Sequence, residues 1–432
     1  MTQERSPQTA TTPAEPAGGV RPGGATLDRQ DSRVSVGQGG VRGAVGDFGR
    51  RVRSGDLGPL PVVVGLVIIA IIFQALNPVF LTSTNLVNLL YDSAAVGTIS
   101  LGIVLVLILG EIDLSVGSLS GLSSAFLGVL WVNQGWPVLL AIGAAMLSGA
   151  VIGLLYGVVF TRFGMPSFVV TLAGLLAFLG LQLQLLGSQG SINLPYGTAL
   201  VTFGQQQFLP PVVAYVFAVV AAGVVFLTGL LNTRERRKAN LSYTSTQILV
   251  LRAVALLVLF LLAAWYLNRD NGVPWMFMLF VIAVVVANYA LTRTSWGRHM
   301  FAVGGSVEAA RRAGINVKRV YLSAFVLTGL LAATGGVLSA ARLASSSQSA
   351  GTGDVNLNAI AAAVIGGTSL FGGRGSAYSA LLGILVIQSI SNGLTLLNLS
   401  SAPRFMITGG VLALAVLIDS LARRSRVSHG RA

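Results

Sequence analysis

The chain has 432 residues, of which 53% are hydrophobic and only 10% charged, with a formal net charge of +14 and no cysteine. A soluble protein carries about 25% charged residues, so most of this surface has to face lipid. Long unbroken apolar runs exclude a transmembrane β-barrel, whose strands alternate apolar and polar residues, and the lack of cysteine excludes a disulfide framework, a thiol nucleophile and a thiolate metal site.

In chain order, residues 1–58 are rich in Gly, Pro, Thr, Gln and Arg and have no apolar period. Such a composition cannot bury enough surface to offset the entropy of ordering, and a disordered cytosolic tail is expected. No apolar stretch precedes Leu60, which argues against a signal peptide. From there, runs of membrane-spanning length recur at 60–76, 86–109, 115–132, 137–160, 167–186 and 211–231. They continue at 247–267, 274–291, 320–341, 359–370, 377–397 and 403–418. The run at 359–370 is short and reads as a half-helix or re-entrant segment. The expected fold is an all-α polytopic membrane protein of about 10–12 transmembrane helices, followed by a basic cytosolic tail at 422–432.

The basic residues come in bursts between apolar runs, which is a membrane-topology pattern and not the continuous basic face of a nucleic-acid-binding protein. Arg50, Arg51 and Arg53 precede the first span. Arg162, the cluster 234–238, several residues in 293–319 and the cluster 423–426 follow spans four, six, eight and twelve. All fall on one side of the membrane, and the positive-inside rule makes that side and both termini cytosolic. The other side has isolated Arg269, Arg342 and Arg404, and Trp131, Trp136, Trp265, Tyr266 and Trp275 stand at span ends as an interfacial belt.

Three segments carry the functional signal. In the loop 292–320, Ser306 is suited to cap a helix, Glu308 lies near its positive end, and Arg311 and Arg312 lie near its negative end. Gly314 suits the C′ position, where φ becomes positive. The expected product is a helix of about two turns lying between two spans, too short to cross. In the second segment, Gly110-Glu111-Ile112-Asp113-Leu114-Ser115-Val116-Gly117-Ser118, two carboxylates stand between apolar runs. At membrane depth each costs about 2.5–3.5 kcal/mol, so they should face a cavity or partner. The residues leave two readings open: Asp113 or Ser115 caps the next helix with Glu111 at an interface, or the group meets the solute. The third segment, 360–376, contains Gly366, Gly367, Thr368, Ser369, Gly372, Gly373 and Gly375. Its glycines allow close packing or a helix that breaks and restarts. It lacks the Gly-Lys-Ser/Thr ending of a phosphate loop.

The first of these segments resembles the coupling loop of ABC importer permeases, which contains Glu-Ala-Ala and a later Gly. The matching residues are Gly305, Glu308, Ala309, Ala310, Arg311 and Gly314. The family usually has Asn-Pro before Glu-Ala-Ala and often Leu after the Arg, whereas this chain has Ser306-Val307 and Arg312. The other two segments are similar to motifs of sugar-importer permeases. There the resemblance implies a translocation path or gate at Glu111, Asp113, Ser115, Gly117, Ser118, Gly366, Gly367, Thr368 and Ser369. It covers about residues 60–419 except 231–265, a helix-containing insertion relative to ribose-type permeases that xylose-type members match. Asn356 and Asn358 stand where the family usually has acidic residues before the Ala-Ile-Ala run.

The resemblance implies a permease dimer with a central path, two cytosolic ATPase subunits that bind the ATP, and an external solute-binding protein. No cofactor is implied in this chain, and the solute implied is a monosaccharide such as xylose or another pentose. The outward stretches 188–210 and 342–358 are both suited to receive the binding protein. Permeases for branched-chain amino acids share this architecture. A stand-alone secondary transporter would need intramembrane ionisable residues, and the chain offers few: Glu111, Asp113 and Arg252. A membrane enzyme is disfavoured because His299 and His429 lack metal-ligand spacing and no nucleophile–base pair is evident.

Overall fold

The computed structural model describes residues 60–239, 243, 245–400 and scattered positions between 402 and 417. The expected tails at 1–58 and 422–432 lie outside these residues, and the expected span 403–418 is described only in part. The helices are α1 (Leu60–Leu76), α2 (Ser83–Ile108), α3 (Val116–Gly128, extended by a π turn over Val129–Asn133), α4 (Val138–Phe163) and α5 (Ser167–Leu186). They continue with α6 (Ala199–Gln205), α7 (Pro211–Lys238), α8 (Thr246–Leu267), α9 (Trp275–Arg293) and α10 (Ser295–Gly305). The last four are α11 (Val307–Arg312), α12 (Val317–Leu343), α13 (Asp354–Ile365) and α14 (Ala377–Leu396). Among the described residues nine helices are long and apolar enough to cross a membrane, with α1 and α13 as shorter apolar helices. The fold is an all-α polytopic membrane protein.

The chain divides into two compact units. In one, residues 221–256, the facing parts of α7 and α8 approach at Gly229, where a Cβ would lie 2.8 Å from a Leu249 methyl. The other unit contains the remaining described helices and the site. Its centre is α2, buried along most of its length, with α12, α14 and α13 packed around it. By contrast α4 and α5 turn much of their surface outward, with Leu139, Leu147 and Leu176 more than 60% exposed.

Apolar helices in lipid gain little from mutual hydrophobic burial, so they associate through close packing of small residues. Ala141, Ala145, Gly149, Gly153 and Gly157 recur every fourth residue on α4 and are its buried stripe, apart from Tyr156. Gly149 and Gly153 rest on the backbone of α12 at Gly329 and Phe325. Helix starts are fixed by local side chains: Thr82, Thr294, Ser306, Asn316 and Ser376 each accept an amide hydrogen of the first turn of α2, α10, α11, α12 and α14.

Several expectations need correction. The loop 292–320 holds two helices, because Thr294 caps α10 as well as Ser306 capping α11. The run expected at 359–370 is α13, which starts at Asp354, an acid suited to a helix N-terminus, and stops at Gly366. The outward stretch 342–358 joins the other outward stretch, 188–210. Its β2 (Ser345–Ser347) pairs antiparallel with β1 (Ser191–Asn193), and the Ser346 hydroxyl donates to the Ser124 carbonyl of α3 at 2.7 Å.

Replacing Gly153 by Leu should destabilise the fold by about 1–3 kcal/mol through overpacking. Gly143→Ala, on an open side of the same helix, should leave stability unchanged or slightly raised. Unfolding in detergent micelles, followed by circular dichroism, measures both.

Candidate functional site

Three segments far apart in sequence meet backbone to backbone at one end of the bundle. The Gly373 amide donates to the Ile108 carbonyl at 2.8 Å. A Cβ at Gly372 would lie 2.8 Å from the Gly304 carbonyl oxygen and 2.9 Å from the Gly110 nitrogen, and one at Gly373 would lie 3.1 Å from the Gly305 Cα. Gly110, Gly372 and Gly373 also have positive φ, so side chains are excluded there by conformation as well as by space. A Cβ on Gly304 would run into the Ile108 carbonyl. All three expected motifs therefore join here.

The coupling-loop residues follow their local chemistry. Ser306 accepts from the Ala309 amide at 3.3 Å, and Gly314 takes φ 80° after the helix. Ala310 is the buried residue of α11, whereas Glu308, Ala309, Arg311 and Gly314 are exposed. The Arg311–Glu308 ion pair at 3.0 Å is 63% and 69% exposed on its two sides, so it adds a few tenths of a kcal/mol at most. The exposed face of α11 is thus held by its caps and by Ala310 and is free to meet another surface. Gly305 ends α10 and is exposed.

The second segment is tied on three sides. Asp113 is 2% exposed, and its carboxylate accepts the Ser115 amide at 2.8 Å and the Ser115 hydroxyl at 2.7 Å. Of the two caps expected for α3, Ser115 makes no side-chain cap bond, because its hydroxyl is spent on Asp113, which also accepts the Ser115 amide. The Leu114 amide donates to the Thr171 hydroxyl of α5 at 3.1 Å, and the Leu114 carbonyl accepts from the Asn356 amide group of α13 at 2.8 Å. Glu111 is half-buried beside these residues. Ser118 donates back to the Ser115 carbonyl at 2.9 Å, and the bare Gly117 lets Gly351 and Asn356 approach α3.

In the third segment, Gly366 ends α13 where a Cβ would strike the Ser379 carbonyl, and Gly367 takes φ 106°. Ser369 closes the loop by donating its amide to the Arg374 carbonyl at 3.1 Å. Thr368 is 1% exposed, and its hydroxyl has no partner among the described residues. Sequence reasoning missed α10, Ile108 and the Leu114–Asn356 contact. Only the Thr294 cap could have flagged α10, and the others join residues more than 200 positions apart.

This arrangement joins an exposed, short helix to the ends of long buried ones. The comparisons agree with such a part. The family model described as branched-chain amino acid transport system/permease component matches residues 85–419. The xylose transport system permease protein of Escherichia coli strain K12 is 36% identical over 80% of this chain and 87% of its own length. That of Haemophilus influenzae is 34% identical over 84% and 96%. The ribose import permease protein of Escherichia coli strain K12 is 33% identical over 82% and 91%. No solved structure matches significantly. With matches running along nearly the whole helical bundle and through all three motifs, the chain belongs to the family of ribose/xylose-type sugar ABC transporter permeases.

Proposed function

We propose that this chain forms the translocation path of an importer for a pentose, xylose before ribose, and that a separate cytosolic ATPase subunit drives it through α11. The observation that carries the coupling role is the capped helix α11, exposed at Glu308 and Arg311 and joined through the single extended residue Ser306 to α10, which rests on Ile108 and Gly373. Arg162, Arg293, Arg311 and Arg312 end helices at this end of the bundle, and Lys318 and Arg319 begin α12 there. By the positive-inside rule that end faces the cytosol.

The preference for xylose rests on the names and identities of the relatives, 36% for the xylose permease and 33% for the ribose permease. A solute-binding protein delivers the sugar at the opposite end, near β1 and β2, and a second copy of the chain completes the path. Glu111 and Asp113, with the glycine loop 366–375, serve as the gate support next to the coupling end. Branched-chain amino acids are the second reading, favoured by the description of the matching family model.

Gly314 has φ 80°, and proline is locked near −65°. The double variant Glu308→Ala, Gly314→Pro should lose the co-purifying ATPase subunit from native membranes and lower uptake at least about tenfold. Retention of the subunit with normal uptake would remove α11 from the coupling role. In proteoliposomes with the ATPase and binding protein, unlabelled xylose should compete with labelled pentose uptake and leucine should not. The reverse result would establish the amino-acid reading.

A further inference from the structure

At the end of the bundle away from α11, α2 and α14 present facing polar stripes. On α14, Gln388, Ser391, Asn392 and Thr395 fall at i, i+3, i+4 and i+7, one face of a helix. On α2, Asp92 faces the cleft, and Asn88 stands one turn earlier. Between them lies a cleft of about 190 Å³ lined by Leu89, Asp92, Gln388, Ser391, Asn392 and Thr395. A polar stripe of this length on a membrane helix is costly against lipid, so it belongs against water, protein or a polar solute.

The cleft is organised from behind. Asn85 and Asn392 exchange two hydrogen bonds, at 2.8 and 3.0 Å, and fix the spacing of the two helices. Arg342 of α12 donates to the Asp92 carboxylate and to the Asn88 side-chain carbonyl, both at 3.0 Å, while stacking 4.7 Å from the Tyr91 ring centre. Asp92 is thereby held with its side chain 47% exposed. The Gln388 side-chain amide makes no hydrogen bond to the described residues and remains available.

We infer that this cleft is a monosaccharide-contacting site at the mouth of the path, with Asp92 and Gln388 as its principal hydrogen-bonding groups. A carboxylate accepts only, an amide both donates and accepts, and hydroxyls do either. This mixture matches neighbouring hydroxyls of a neutral sugar, each of which is donor and acceptor at once. The volume suits a small solute, since sites for larger ligands run about 300–1,000 Å³. An amino-acid zwitterion would want a free cation for its carboxylate, and the Arg342 guanidinium is committed to Asp92 and Asn88.

The inference rests on the reading of the chain as a sugar importer permease. Because the chain has no cysteine, Ser391→Cys and Thr395→Cys each carry a single thiol. Both should react with a charged, membrane-impermeant thiol reagent, and labelling should block xylose uptake by the assembled complex. Leu147→Cys, on the outward face of α4, should stay unlabelled. Gln388→Leu should lower uptake roughly tenfold through lost hydrogen bonds, while binding-protein-stimulated ATP hydrolysis stays within about twofold of wild type. That retained hydrolysis separates a site effect from misfolding. Unreactive thiols at both positions, or normal uptake by Gln388→Leu, would overturn the cleft assignment. Absence of sugar import by the wild-type complex would overturn the importer reading itself.

Discussion

The contact on which the rest of the structure depends is the glycine junction of Ile108–Gly110, Gly304–Gly305 and Gly372–Gly373. With no side chains between them, the end of α2, the end of α10 and the loop between α13 and α14 meet through backbone atoms. Side chains change rotamer and absorb small displacements; backbone in direct contact does not. Whatever shifts α10 is therefore passed on at once to the ends of α2 and α14. The motifs at 110–118, 304–314 and 366–376 belong to one mechanical object, although up to about 260 positions separate them.

The same economy runs through the bundle. Close approach comes from small residues, as in the Ala/Gly stripe of α4 against α12 and in Gly383 against Ala362 between α14 and α13. Several polar residues inside the helices are satisfied within their own helix. Ser93, Thr98 and Thr334 donate to carbonyls four residues back at 2.7, 2.7 and 2.8 Å. Polar side chains also tie elements together: Ser346 on Ser124 and Asn356 on Leu114 where irregular backbone enters the bundle, and Thr328 on Gly102 between two regular helices.

What could be read from the sequence was what local chemistry decides. The spans 60–76 and 167–186 coincide with α1 and α5 because membrane thickness sets apolar length. The cap, charges and terminal glycine of α11 could be read because each acts within one turn. Helix α10 was hidden because its 11 residues mix Trp, Arg, His and Gly and resemble a loop. The segment 345–353 misled in the opposite way. Its serines and glycines read as exposed, yet their small size is what lets them lie along α3 beside Gly117, Gly121 and Gly128. Asp113 was legible as costly and therefore placed with care; that its partner is the neighbouring Ser115 depends on a backbone bend that composition does not encode.

In the proposed importer, the geometry would let the short helix α11 act on the inferred cleft at the far end. Asp92 lies 16 residues before Ile108 on α2, and Ser391 lies 14 residues after Ala377 on α14. At 1.5 Å per residue these are levers of roughly 24 and 21 Å. A tilt of about 5° about the junction moves the far end of such a rod by roughly 2 Å, enough to make or break a hydrogen bond. The two rods are tied near the cleft by the Asn85–Asn392 pair and, on α2 alone, by Arg342 from α12. Because α12 begins directly after α11, it brings the same motion to Asp92 along a second route. In the proposed importer the cleft is therefore pulled from two sides by one cytosolic event. A site in which one wall is held by Asn392 and the other by Arg342 changes its grip when those two routes move by different amounts.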